Sequence, residues 1–124
     1  MLMKAEQSTL LLIDVQEKLM PAISHGDEVV DRCIVLATIA GLMEVPGCET
    51  HVCMMQTALS LLDAGYKVWV VADATGSRNE FDRDVALDRL NESGARIVTL
   101  EMVAFEWMRH CKHPQFRNIQ ALIK

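Results

Sequence analysis

Four apolar residues in a row, Leu10-Leu11-Leu12-Ile13, run into an acid at Asp14, and this continuous pattern predicts a short strand buried on both faces of a parallel sheet. Asp14 then stands at the strand's carboxyl end, where open α/β folds place ligands. From Asp27, a capping residue, to about Glu44, the apolar positions Val30, Ile34, Ala37 and Leu42 fall near helical spacing, and Val45-Pro46 ends the helix. Gly47 to Cys53 reads as a turn leading into a second helix. That helix begins near Val52, carries Met55, Leu59 and Leu62 inward and stops at Gly65. Lys67 to Ala72 (KVWVVA) is the clearest strand and also ends in an acid, Asp73. Ser77-Arg78-Asn79-Glu80 matches a capping box for a helix running to about Ser93. Gly94 breaks that helix, and Arg96 to Thr99 forms a third strand. Glu101 to Arg109 predicts a short helix exposing Phe105 or Trp107. Pro114 to Ile123 predicts a last amphipathic helix with Phe116, Ile119 and Leu122 at i, i+3 and i+6.

Strands and helices alternating in short steps are the mark of βαβ units, and so of a three-layer α/β/α sandwich with a parallel sheet. There is no repeat, low-complexity tract or linker, so residues 1–124 read as a single domain. With 51% hydrophobic residues the chain can bury a substantial core. Its 12 basic and 17 acidic residues give a net charge of -5 without a Lys/Arg block, which argues against nucleic acid or an anionic membrane as partner. The longest apolar stretch, Cys33 to Met43, has 11 residues, short of the roughly 18 a spanning helix needs. Met1 to Ser8 is mixed in polarity and enters a four-residue apolar run, too short for a signal-peptide core, so a cytoplasmic protein is expected.

The chemistry lies in Asp14 and in the segment Gly47-Cys48-Glu49-Thr50-His51-Val52-Cys53. A thiol in the first turn of a helix meets partial positive charge and unsatisfied N–H groups. It ionises more easily there, and the same N–H groups can hold an oxyanion. An aspartate at a strand mouth beside such a thiol makes the parts of a cysteine hydrolase. Other candidates read as structural. Cys33 is a small core residue on a helix, and His110-Cys111-Lys112-His113 is a surface connector whose ligand types lack a separated partner set. Asp73 and Arg78 fix a loop, Met54-Met55 is core or pocket wall, and His51 points away from the thiol two residues on. With no secretory signal, the four cysteines are expected to be reduced.

Taken together, TLLLIDVQEKL, the GxETHVCxxQTAL segment, VWVVADATGSR and the closing FRNIQALIK resemble the isochorismatase-like cysteine hydrolases, in particular the small isochorismatase domain-containing members. The resemblance implies a Rossmann-like doubly wound sheet and an Asp, Lys, Cys triad in which Asp14 matches the acid and Cys53 the nucleophile. It further implies a cis peptide between Cys48 and Glu49, with the backbone N–H groups of Glu49 and Cys53 as oxyanion hole. The implied activity is hydrolysis of a small amide or related carbonyl compound through a thioester, without cofactor. Isochorismate is not favoured as substrate, because hydrolysis of a vinyl ether does not call for a thiol. The family's lysine has no counterpart: Lys4, Lys18, Lys67 and Lys112 do not occupy its place. No metal site is expected either. A catalytically inactive relative serving as an interaction or scaffold protein is the alternative.

Two further expectations follow. The family places two strands, their crossovers and most of a central strand between the positions of Pro46 and Gly47, so residues are expected to be missing there and the domain to be internally incomplete. Met102, Val103, Phe105, Trp107 and Met108, crowded into seven positions, exceed what one helix can bury against its own domain. The chain is therefore expected to form a homodimer or higher homo-oligomer, as the resemblance also implies.

Overall fold

The structure is a computed structural model. It describes residues 1–13, 23–45 and 54–124, together with the strand path of residues 47–50. Two strands, β3 (Trp69–Val71) and β4 (Arg96–Val98), pair in parallel with Val70 opposite Ile97. Successive strand residues point to opposite faces, and the packing follows that rule. Val70 and Ile97 join a core with Ala58, Leu87 and Leu90, which come from α2 (Met54–Asp63) and α3 (Glu80–Glu92). Trp69, Val71 and Val98 join the opposite core, built on α1 (Gly26–Leu42), α4 (Leu100–Met108) and α5 (Phe116–Leu122). Helices thus cover both faces of a parallel ladder, and the chain is a three-layer α/β/α fold.

A second parallel ladder joins β1 (Leu10–Ile13) to β2 (Gly47–Thr50), with Leu10 opposite Gly47 and Ile13 opposite Thr50. This corrects the reading of residues 47–50 as a turn. Alpha-helix 1 returns the chain to the amino end of β1, and four residues at about 3.3 Å each match the four of β1, so Gly47–Thr50 crosses the sheet as a strand. Among the described residues the two ladders are separate, where one continuous sheet is expected. All four residues of β1 are half-buried rather than buried, since the described residues pair it along one edge only.

Helix starts differ from expectation for tertiary reasons. Alpha-helix 1 begins at Gly26 after His25, which takes a left-handed conformation (φ 54°), so Asp27 lies in the first turn and does not cap. There its charge favours the helix dipole. Alpha-helix 3 is capped by Asn79, whose side chain accepts the Asp82 N–H at 2.8 Å. Ser77, the expected cap, instead accepts the Ser24 N–H through its carbonyl at 2.8 Å. The strand expected over 67–72 shortens because Ala72–Ala74 winds into a 3-10 turn. Of the two aromatics on α4, Trp107 is buried and Phe105 is exposed.

The N-terminal residues dock on α4. Met3 is buried, its N–H donates to Glu106 Oε2 at 2.8 Å, and its carbonyl accepts from Arg109 Nη2 at 2.8 Å. Alpha-helix 5 is only seven residues long and is held through Ile119, which is fully buried. Replacing Ile119 with alanine is expected to cost about 2–5 kcal/mol. The loss should appear as a lower urea midpoint together with faster amide exchange across α5.

Candidate functional site

The last rung of the β1–β2 ladder joins Ile13 to Thr50, so both strands end at the same edge of the sheet. The next residues in the sequence are Asp14 and His51, and α2 is described from Met54, the residue after Cys53. Asp14, Lys18, His51 and Cys53 lie outside the described residues. Glu49 lies in β2 opposite Leu12. The Cys48–Glu49 peptide falls where only the strand path is described.

At the carboxyl end of β3, residues 72–77 form a loop tied to three helices. Asp73 Oδ1 accepts the N–H of Leu100 at 2.8 Å, capping the first residue of α4. Thr99 adds a second cap there, its hydroxyl accepting the Met102 N–H at 3.2 Å. Cys33 on α1 places its Sγ 3.5 Å from the carbonyl of Ala74. Arg83 on α3 donates from Nε to the carbonyl of Thr75 at 2.9 Å and from Nη2 to that of Ala72. Gly76 is packed so closely that an added Cβ would fall 2.5 Å from Ile23 Cγ2 and 3.1 Å from Val29 Cγ2. Across the mouth of this loop, His25 Nε2 meets Glu80 Oε1 at 2.9 Å, an exposed pair.

Asp73 therefore fixes the loop, as its sequence position suggests, while Arg78 is exposed. Met54 and Met55 pack against the core formed by α2 and α3. Cys33 is a core residue, and burial raises its thiol pKa above the ordinary value near 9.0. Cys111 is exposed between two histidines engaged in local turns: His110 Nδ1 accepts the Lys112 N–H and His113 Nδ1 the Gln115 N–H, each at 3.1 Å. Among the described residues no group of His, Cys, Asp or Glu side chains converges as a metal site. Sequence reasoning missed Arg83. Its only local signal is a position one turn inside a capped helix, and the carbonyls it meets lie 8 and 11 residues back.

Residues 42–102 match the isochorismatase domain. Isochorismatase domain-containing protein 2 of Bos taurus is 51% identical over 78 residues, 63% of this chain and 38% of the bovine protein. The stretch from Gly47 to Lys124 is equally long. Other curated relatives matched over such a part are likewise covered to less than two fifths of their length. Isochorismatase domain-containing protein 2A of Mus musculus is 30% identical over 172 positions, covering 96% of this chain and 84% of the mouse protein. That alignment exceeds the 124 residues of the chain by 48 positions, so it opens gaps within the chain. Among solved structures, YcaC from Pseudomonas aeruginosa with hexane-2,5-diol and covalent acrylamide superposes with a TM-score of 0.91 at 19% identity, over 98% of this chain and 90% of that one. The Escherichia coli YcaC product, described as an octameric hydrolase of unknown specificity, gives 0.76 at 19% identity over 97% and 95%. At such identity these structures speak to the fold.

Burial separates the two described thiols chemically. At pH 8, iodoacetamide is expected to alkylate exposed Cys111 promptly and Cys33 only on unfolding, as peptide mapping would show. Because the folded state holds the Cys33 proton to higher pH than the unfolded chain does, this thiol should favour unfolding as pH rises above about 9. Cys33→Ala should remove that part of the alkaline loss of stability.

Proposed function

Because the chain belongs to the isochorismatase family, we propose that it is a cofactor-free cysteine hydrolase that cleaves a small amide or related carbonyl compound through a thioester on Cys53. The pairing of Ile13 with Thr50 carries this reading, since it sends the chain toward Asp14 and toward Cys53 from one edge of a single ladder. Cys53 immediately precedes α2, where helix N–H groups and the macrodipole favour a thiolate. Asp14 takes the thiol proton, the sulfur attacks the carbonyl carbon, and the N–H groups of Glu49 and Cys53 hold the oxyanion. Collapse expels the amine, which leaves with the proton from Asp14. Water then attacks the thioester, releasing the acid and restoring the thiol. The covalent acrylamide in Pseudomonas aeruginosa YcaC supports a reactive group in this fold, because acrylamide is an electrophile of the kind thiolates capture.

A second reading, a catalytically inactive relative acting as an interaction or scaffold protein, is favoured by one observation. The mouse alignment outruns the chain by 48 positions, consistent with a stretch absent between Pro46 and Gly47 and with it the family's lysine. The lysines that the structure describes, Lys4, Lys67, Lys112 and Lys124, are all exposed.

The two readings part on one measurement. For the hydrolase, Cys53 reacts with electrophilic probes at neutral pH and Cys53→Ala abolishes amidase or esterase activity while the fold persists. Asp14→Asn should cost roughly 10²–10⁴-fold in rate, because an amide cannot take the thiol proton. Sluggish labelling of Cys53 in the folded protein would establish the inactive reading instead.

We further infer a homodimer or larger homo-oligomer in the cytoplasm. Met102 and Phe105 on α4 remain 44% and 43% exposed, and the Escherichia coli YcaC product is octameric. No helix among the described residues is long and apolar enough to cross a membrane. Light scattering at micromolar concentration should give a mass at least twice that of the chain, and a monomer would overturn the assembly.

A further inference from the structure

We propose that copies of this chain associate head to tail, the basic face formed by residues 109–124 of one copy docking on the acidic face of α3 of the next. The proposal rests on the reading of the protein as a homo-oligomer and names the two surfaces that meet. All 17 acidic residues precede residue 109, whereas residues 109–124 carry Arg109, Lys112, Arg117 and Lys124 and no acid. All four cations are exposed. The ring of Phe105, half-exposed on α4, lies 6.4 Å from that of Phe116, the residue before Arg117, so an apolar patch sits beside the basic charge. Of the two acids on α4, Glu106 accepts the Met3 N–H, and Glu101 lies a full turn from Phe105 toward the start of the helix.

Alpha-helix 3 repeats the pattern with the opposite sign. Phe81 and Val85, four apart and so on one face of the helix, are 76% and 51% exposed. Around them Glu80, Asp82, Asp84, Asp88 and Glu92 are exposed, against one exposed cation of the helix, Arg89. A cleft of about 510 Å³ beside this face is lined by Asp84, Leu87, Asp88, Asn91 and Ile97. Leu87 and Ile97 suit the methylene stem of an arginine or lysine, and the two carboxylates suit its head. Pairing either face with itself about a two-fold axis would set like charges against like, which disfavours both isologous contacts. Acidic face against basic face satisfies the charges and covers both apolar patches. The faces lie on opposite layers of the sandwich, α3 on one side of the β3–β4 ladder and α4 and α5 on the other. Two copies cannot satisfy both contacts at once, so the association is heterologous and takes three or more copies.

The test is a charge swap on the 124-residue chain, read as mass by analytical ultracentrifugation at micromolar concentration with a thermal melt alongside. The wild-type chain should sediment as three or more copies. Asp84→Lys with Asp88→Lys reverses the acidic face, and Lys112→Glu with Arg117→Glu reverses the basic one; each double variant should lose this association while keeping its fold. Mixed in equal amounts, the two variants should associate again, because each then offers the face that the other needs. Phe81→Ser, at a position 76% exposed, should weaken association by about tenfold or more without lowering the melting temperature. An oligomer whose mass is unchanged by the α3 reversal, or variants that stay apart when mixed, would overturn the head-to-tail contact and leave the oligomer reading standing. Should a double variant fail to fold, an unchanged mass in Phe81→Ser overturns the contact equally. A wild-type monomer overturns the oligomer reading and this proposal with it.

Discussion

The alternation of side chains along β3 and β4 is the constraint on which the rest of the molecule depends. Each strand is three residues long, yet each must feed two cores: Val70 and Ile97 into one, Trp69, Val71 and Val98 into the other. A slip of one residue would exchange these sets, sending Trp69 toward α2 and α3, into a core already filled by Leu87, Leu90, Leu59 and Leu62. The crossover through α3 and the placement of α4 after Thr99 follow from the same register. So does the loop after β3. Its carbonyls emerge at the sheet edge, where Arg83 and Cys33 reach them, and Asp73 spans from it to the first N–H of α4.

The other ladder carries the proposed chemistry and is less well covered. Beta-strand 1 is wholly apolar, a composition suited to burial on both faces, but it is only half-buried. Among the described residues it pairs only with β2, which is also four residues long. A βαβ connection through α1 joins β1 to β2. A sheet edge of that composition lacks the charges and prolines that usually discourage pairing with other chains.

Local patterns were legible wherever they recorded burial. LLLI and KVWVVA each led to a strand and the spacing of Ile119 to the right inward residue, although β1 is half-buried where burial on both faces is expected and Ile34, on the expected apolar spacing of α1, is 58% exposed. Cys33 as core and Asp73 as loop-fixing were readable for the same reason. The limits are equally physical. Choosing between Ser77 and Asn79 as a cap depends on a hydrogen bond from Ser24, more than 50 positions away in the chain. Met3 and Ala5 lie in a stretch of mixed polarity and are buried by joining the core with α1, α4 and Ile119. Arg83 resembles any solvated helix arginine until the loop it holds is in place. Residues 47–50, which open with a glycine just after Pro46 in the sequence, form a strand paired with β1. Asp14 and Cys53 stand out through their neighbours in sequence, and the structure adds the pairing of Ile13 with Thr50.

The docking of Met3 has a consequence for the order in which the molecule assembles. Its two backbone partners, Glu106 and Arg109, lie 103 and 106 residues downstream. During synthesis Met3 therefore has no site to occupy until Glu106 and Arg109 have been made. The core formed by α2, α3 and β4 draws on residues 54–98 and can consolidate earlier. The opposite core joins Met3 to Ile119, contacts of long sequence separation that slow folding. Until it forms, the apolar leucines of β1 stay open to water and to other nascent chains.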